Sequence, residues 1–157
     1  MNIFILDYNI EKCAQYHCDK HVVKMCIEYA QLLSSVHHHY GKPAGYRLTH
    51  KNHPCAVWAR ASLSNYQYLM ELTFALGDEY TYRYGKHHKS VELVESLPPI
   101  EFIDIGLTPF AKAIAVPEIK AIPDAVDAYR EYYRVEKAGI VSWKKREVPE
   151  WFKAGLV

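Results

Sequence analysis

The chain has 157 residues, and its 19 Lys and Arg against 18 Asp and Glu leave a formal charge of +1. Half of it is hydrophobic and 24% is charged, which is the balance of one folded globular domain; extended disorder, a uniformly basic nucleic-acid coat and an acidic tail protein are excluded. The unusual feature is 13 Tyr, 9 His and 3 Trp against 5 Phe, so most rings carry a polar or titratable atom, as ligand sites often do.

Residues 2–6 form a short apolar run, read as a brief strand or an anchored N-terminal segment. Asp7 or Asn9 then caps a helix. From Ile10 to His39 there is no Pro or Gly and the apolar spacing is helical, so one long helix is expected, stopped by Gly41 and Pro43. A loop over 40–53 follows. Pro54 fits the first position of a second long helix, capped by Asn52 or His53 and running to Tyr84, with Gly85 as its end and Gly77 as a weak point. A short helix is expected over 89–96. Gly106, Pro109, Pro117 and Pro123 break 100–123 into short pieces, and 124–138 reads as a helix. The tail 140–157 is irregular, aromatic and basic. No convincing alternating strand occurs, so the expected class is mainly α: a single compact helical domain over 1–157, with two long helices. No opening leader and no run of the ~20 apolar residues that a membrane span needs is present. A cytoplasmic protein is therefore expected, with Cys13, Cys18, Cys26 and Cys55 as thiols.

Within the first helix, Cys18, Val22, Met25, Cys26, Tyr29 and Leu33 make an apolar face. His17, His21, Lys24, Glu28 and Gln31 share another side. Two His a turn apart, beside a Lys and a Glu, form a candidate acid–base or nucleophilic stripe; the competing reading is a solvated face. Asp19 falls inside the apolar face and must find a partner, with Arg60, His53 or a backbone end as candidates. His17 and His21 also have i, i+4 metal-ligand spacing. A zinc site would need His50, His53 or Cys55 to complete it, and there is neither a CxxC pair nor an HExxH. No cofactor is expected.

The stretch Thr49-His50-Lys51-Asn52-His53-Pro54 enters a helix start, where free amides and cations attract a phosphate. Asn65 and Arg83 are the polar members of an otherwise apolar face, facing a site or pairing with each other. Two segments, 78–89 and 129–134 with the tail beyond it, interleave aromatic and basic residues as single-strand-binding surfaces do; half-buried Tyr at helix ends is the plainer account.

The strings AQYHCDKHVVKM, THKNHPCAVWAR, DEYTYRYGKHHK and GLTPFAKA resemble a family carried by tailed phages, those of cyanobacteria included, over nearly the whole chain. The layout is also similar to the phage pyrimidine-dimer DNA glycosylases: small helical enzymes with a His on the first helix, a long second helix and a P-x-W-Y/F tail that touches DNA. His17 and Pro149-Trp151-Phe152 are the matching positions. In that family a freed N-terminal amine attacks the sugar and a helix Glu assists. Here Asn2 is large for removal of Met1, and the place of the Glu falls near Lys24, with Glu28 one turn on. The resemblance implies an enzyme acting on a base or sugar of nucleic acid, a glycosylase or lyase; the helix stripe offers His17, His21, Lys24 and Glu28 as its catalytic candidates, and where the sequence departs from the family Lys24 is read as a replacement nucleophile. His50, Lys51, Asn52, His53, Arg60, Arg83, Lys145, Arg146 and Trp151 would bind nucleic acid. The alternatives are a non-catalytic module for nucleic acid or a host protein, and a metal-dependent enzyme using His17 and His21.

Overall fold

The computed structural model describes residues 1–154 and is all helical among them. Its helices are α1 (Ile10–Tyr16), α2 (Asp19–His39), α3 (Pro54–Ala61), α4 (Leu63–Tyr84), α5 (Lys89–Glu95), α6 (Pro117–Lys120), α7 (Ala125–Glu136) and α8 (Glu150–Ala154). No helix among the described residues is long and apolar enough to cross a membrane.

The long pair α2 and α4 packs along its length, with α1, α3 and α5 filling in beside it and α7 carrying α6 and α8. The faces follow from the helical period: Val22, Met25, Cys26, Tyr29, Leu33 and Val36 of α2 are buried, as are Leu69, Leu72, Leu76 and Tyr80 of α4. Caps fall where the residue types favour them. Asn9 accepts from the Lys12 amide, His53 from Cys55 and Asp124 from Asp127, and Gly85 closes α4 at φ 72°.

Gly77 is a contact rather than a weak point. A Cβ built there would lie 2.9 Å from both methyls of Val91, so its absence lets α5 lie against α4. The N-terminal run is extended chain without strand pairing. Ile3, Phe4, Ile5 and Leu6 are buried, each worth roughly 1.5–3 kcal/mol of apolar burial. Polar clamps hold the same segment: Phe4 N–H donates to Tyr29 Oη, Tyr129 Oη to Asn2, and Arg130 to the Leu6 carbonyl and the Asp7 carboxylate. The position of residue 1 is thereby fixed.

Both expected long helices are interrupted. The first breaks at His17–Cys18, which have extended backbone. There Asp19 N–H donates to the Ser142 carbonyl and Cys18 N–H to Tyr133 Oη. The second breaks at Ser62, where Leu63 N–H donates to the Ile103 carbonyl and Ile105 N–H to Ser62 Oγ. In each case a segment distant in sequence takes the bonds that a continuous helix would have used. The tail, expected to be irregular over 140–157, contains α8 within its described part, and Phe152 there is buried.

Candidate active site

Because α2 starts at Asp19, the expected stripe loses its first member. His17 lies in the core, where its Nδ1 meets the Cys13 carbonyl at 2.7 Å and its Nε2 meets Tyr29 Oη at 2.8 Å. Tyr29 Oη already accepts from Phe4, so it donates to Nε2 and the ring donates from Nδ1. Burial, with the Arg83 charge added, holds the imidazole down to about 4, so it is neutral at physiological pH and structural. His21 stacks on Phe4 with ring centroids 4.3 Å apart, and its Nδ1 accepts from Tyr133 Oη at 2.6 Å. Burial first, then the neighbouring His17 ring and the positive charges of Lys137 and Lys24, lower it to about 3. It too is neutral, and it walls a small cavity. The two rings, each committed to a tyrosine, do not form a metal pair, and no group of three metal-ligating side chains exists among the described residues.

That cavity is about 120 Å³ and is lined by Met1, Asn2, Phe4, His21, Lys24, Met25, Glu28, Tyr132 and Lys137. At about 30 Å³ per water it takes a few waters or a sugar ring, not a pair of joined bases. Its centre is Glu28. The carboxylate lies 3.7 Å from the Met1 α-amine and 3.8 Å from Lys24 Nζ. Glu28 is 14% exposed and Lys24 70%, so the acid is recessed and the lysine stands at the mouth in water, outside the apolar setting that would activate it. His53 joins from α3. Burial lowers its ring, as do the nearby terminal amine and His50, against opposing effects of Glu28 and the Met1 carbonyl. The stripe and the loop before α3 therefore meet at Met1, a residue that no side-chain pattern marks.

The stripe also continues past Gln31 to Ser35 and His39, which line a second cavity of about 270 Å³ with Leu48, Lys51, Asn52 and Arg60. Glu28 to Ser35 is about 10 Å along the helix axis, and to His39 about 16 Å. One face of α2 thus joins a carboxylate between two amines to a pocket walled by His, Lys and Arg. His50 sits beside it, exposed, with its ring on Thr49 and its backbone at φ 52°. Arg60 also donates to the Lys51 carbonyl, which shapes the loop.

Four residues expected to contact nucleic acid, Arg83, Lys145, Arg146 and Trp151, have partners within the fold. Arg83 is fully buried: its Nε donates to Glu79 at 2.8 Å, Nη1 to Asp19 at 3.0 Å and Nη2 to the Gln15 carbonyl at 2.8 Å. It cannot reach a phosphate, and it is the partner that Asp19 needed, in place of Arg60 or His53. Asn65 pairs not with Arg83 but with Thr108 and the Trp58 carbonyl. Arg146 completes the network on Glu79 at 2.9 Å and covers the Tyr82 ring at 4.2 Å. Burial pushes the Glu79 carboxyl up, and bonds and charge from Arg146 and Arg83 more than reverse this, so it stays ionised. Lys145 Nζ donates to the Tyr82 carbonyl. Trp151 is absorbed by an aromatic cluster with Tyr16, Tyr133 and Phe152, with Arg130 on its face at 5.4 Å. The tail packs beside the far end of α4 through Lys145 and Arg146. A third cavity, about 450 Å³, lies beside that end between α1 and α4. Glu11, Glu71, Asp78 and Glu79 surround it against one arginine, a field that repels a polyanion.

A small helical domain with a recessed carboxylate between two amines and a cationic pocket along the same helix has the chemical parts of an amine-dependent enzyme for an anionic polymer. The family model described as pyrimidine dimer DNA glycosylase matches residues 1–93, and the chain belongs to that family. The matched stretch contains every α1–α4 residue of both cavities, while Tyr132 and Lys137 lie beyond it. No curated protein and no solved structure matches the chain.

Proposed function

We propose that the protein is a DNA glycosylase for pyrimidine dimers, acting through an amine at Glu28. The family membership supplies the substrate class. The single observation that carries the chemistry is the Met1 α-amine 3.7 Å from a recessed carboxylate. The Met1 side chain is 5% exposed and that of Lys24 70%, so the terminal amine is the better shielded nucleophile of the two.

In this reading the neutral amine attacks C1′ of the damaged nucleotide. The N–C1′ bond forms, the glycosidic bond breaks, and its electron pair leaves with the base, which takes up a proton. The amine gives its own proton to Glu28. Ring opening, with a proton taken up at O4′, then yields an imine; removal of a C2′ proton by a base forms the C2′–C3′ double bond as the C3′–O bond breaks and the 3′ phosphate leaves, which is the lyase reaction. Lys24 and Lys137 flank the reacting sugar. His50, Lys51, Asn52, Arg60 and His39 hold the strand further along α2, and His53 fixes the position of Met1. His21 and Phe4 form an apolar wall that keeps water from the amine.

Borohydride trapping on a dimer-containing duplex tests the reading. A reduced adduct mapped to the residue-1 peptide supports it. The second reading, favoured by the 3.8 Å contact of Lys24 with Glu28, is the lysine as nucleophile; an adduct on Lys24, with activity lost in Lys24→Ala, would establish it. Duplex binding without adduct or cleavage would leave a binding module, and metal bound in the purified protein would revive the metal-dependent alternative.

A further inference from the structure

Ile103, Ile105 and Leu107 are 63%, 65% and 52% exposed, an unusual run of large apolar side chains in water. They alternate with residues that hold the segment down. Asp104 Oδ1 accepts from Ser62 Oγ, from the amide and hydroxyl of Ser64, and from the Gly106 amide. Ile105 N–H donates to Ser62 Oγ, the Ile103 carbonyl accepts from Leu63, and Thr108 is locked to Asn65. The apolar tips are therefore held out on a braced backbone rather than left loose.

Their position is as specific as their bracing. The segment is pinned at Ser62, two residues after Arg60, and Phe102 stacks at 4.5 Å on Tyr40, whose hydroxyl donates to the Arg60 carbonyl. It therefore borders the cationic pocket of His39, Lys51 and Arg60. Helix α3 connects this place to the candidate site: His53 at its start meets Met1, Val57 on its surface is exposed, and Ser62 is at its end. Eight helical residues span about 12 Å, the length of about three stacked base pairs.

We propose that Ile103, Ile105 and Leu107 form a wedge that enters duplex DNA beside the lesion and unstacks it, while the neighbouring cations hold the phosphates. The proposal rests on the glycosylase reading, and it adds an element outside the matched family region, which ends at residue 93. Side chains this apolar gain by entering between base steps, and the phosphate contacts at their flank set the depth. The candidate cavity is too small for joined bases, so the sugar must be brought to it by distortion of the strand, which the wedge would supply.

The test compares the wild type with the triple variant Ile103→Ser, Ile105→Ser, Leu107→Ser on two substrates: a duplex with one thymine dimer, and the same dimer strand left unpaired across a bubble. A duplex with 2-aminopurine beside the dimer reports unstacking without any need for cleavage. The expected result is a fall of about tenfold or more in kcat/KM on the duplex, unchanged cleavage of the bubble, and loss of the 2-aminopurine rise. Bubble cleavage also shows that the variant is folded. Equal duplex cleavage and an equal fluorescence rise in both proteins would overturn the wedge. So would a shift from dimer to monomer in the variant by sedimentation with DNA distortion intact, which would assign the patch to a second copy of the chain. A wild type that raises the fluorescence but cleaves neither substrate would keep the wedge and overturn the glycosylase reading.

Discussion

Replacing Arg83 with alanine would leave the Glu79 and Asp19 carboxylates without the guanidinium that lies between them. Breaking a buried pair by removing one partner costs about 3–5 kcal/mol, so Arg83→Ala should lower the urea midpoint sharply; a variant within 1 kcal/mol of wild type would show that water replaces the arginine. Two histidines make the complementary case. His17 and His21 are held at about 4 and about 3, below the ordinary value near 6.5, because burial disfavours their charged forms. The unfolded chain therefore binds more protons than the folded one as pH falls through 6.5. Their stabilising contribution is complete above that pH and is lost progressively toward the folded values, by about 2 kcal/mol for each histidine between pH 7 and 5. Denaturant unfolding at the two pH values, with His21→Asn as the control that flattens the slope, measures this. Glu28 stands apart from these structural groups. Its two ion-pair partners among the described residues are both amines, so Glu28→Gln should leave the melting temperature nearly unchanged and cut excision by roughly a hundredfold or more, the scale of a lost proton acceptor. Of the stripe read from the sequence, Lys24 and Glu28 occupy the cavity with His21, while His17 is drawn into the core. The same 3.6-residue period, carried past Gln31, would have reached Ser35 and His39.

Elements were legible wherever their signals were local. Pro54 after a capping His, Gly85 at a left-handed φ, and Asp124 before an amphipathic run all act through their nearest neighbours, and these boundaries fall within a residue or two of expectation. The breaks at His17–Cys18 and Ser62 had no decisive local signal. Ser62 and Asp19 are of types that favour helix starts, but such residues also occur inside helices, and the deciding donors and acceptors come from Ser142, Tyr133, Ile103 and Ile105. Gly77 was misjudged for the same reason: its cost is local, but its benefit is a contact with Val91. Gly77→Ala would raise helix propensity by about 1 kcal/mol, yet it places a methyl 2.9 Å from a stiff β-branched side chain. Net destabilisation of about 1–3 kcal/mol in thermal unfolding is expected, and a stabilised variant would show that α5 can move away.

Across the whole molecule, the charge of +1 conceals a division. Glu11, Glu71, Asp78 and Glu79 gather around the cavity of about 450 Å³, and His39, Lys51 and Arg60 around the one of about 270 Å³. A polyanion approaching such a surface is steered to one side. Lys51→Ala should weaken duplex binding about equally for damaged and undamaged DNA and reduce the slope of log K against log salt by about 1, whereas Arg146→Ala should leave that slope unchanged. Titration by fluorescence anisotropy at several salt concentrations checks both. Taken alone, the sequence determined the helical class, most helix ends, the apolar faces, the glycosylase-like layout and the presence of two polar clusters, because period, caps and turn residues act over a few positions. Only the tertiary structure decided which polar groups are free to react. Arg83 and His17 were as promising in the chain as Lys24 and Glu28, and both are buried against partners of the fold, while Arg146 and Trp151 are half-buried on Glu79 and on an aromatic cluster. The same long-range packing anchors residues 2–6 and brings the Met1 amine to Glu28, a pairing across the length of α1 and half of α2 that no local pattern encodes.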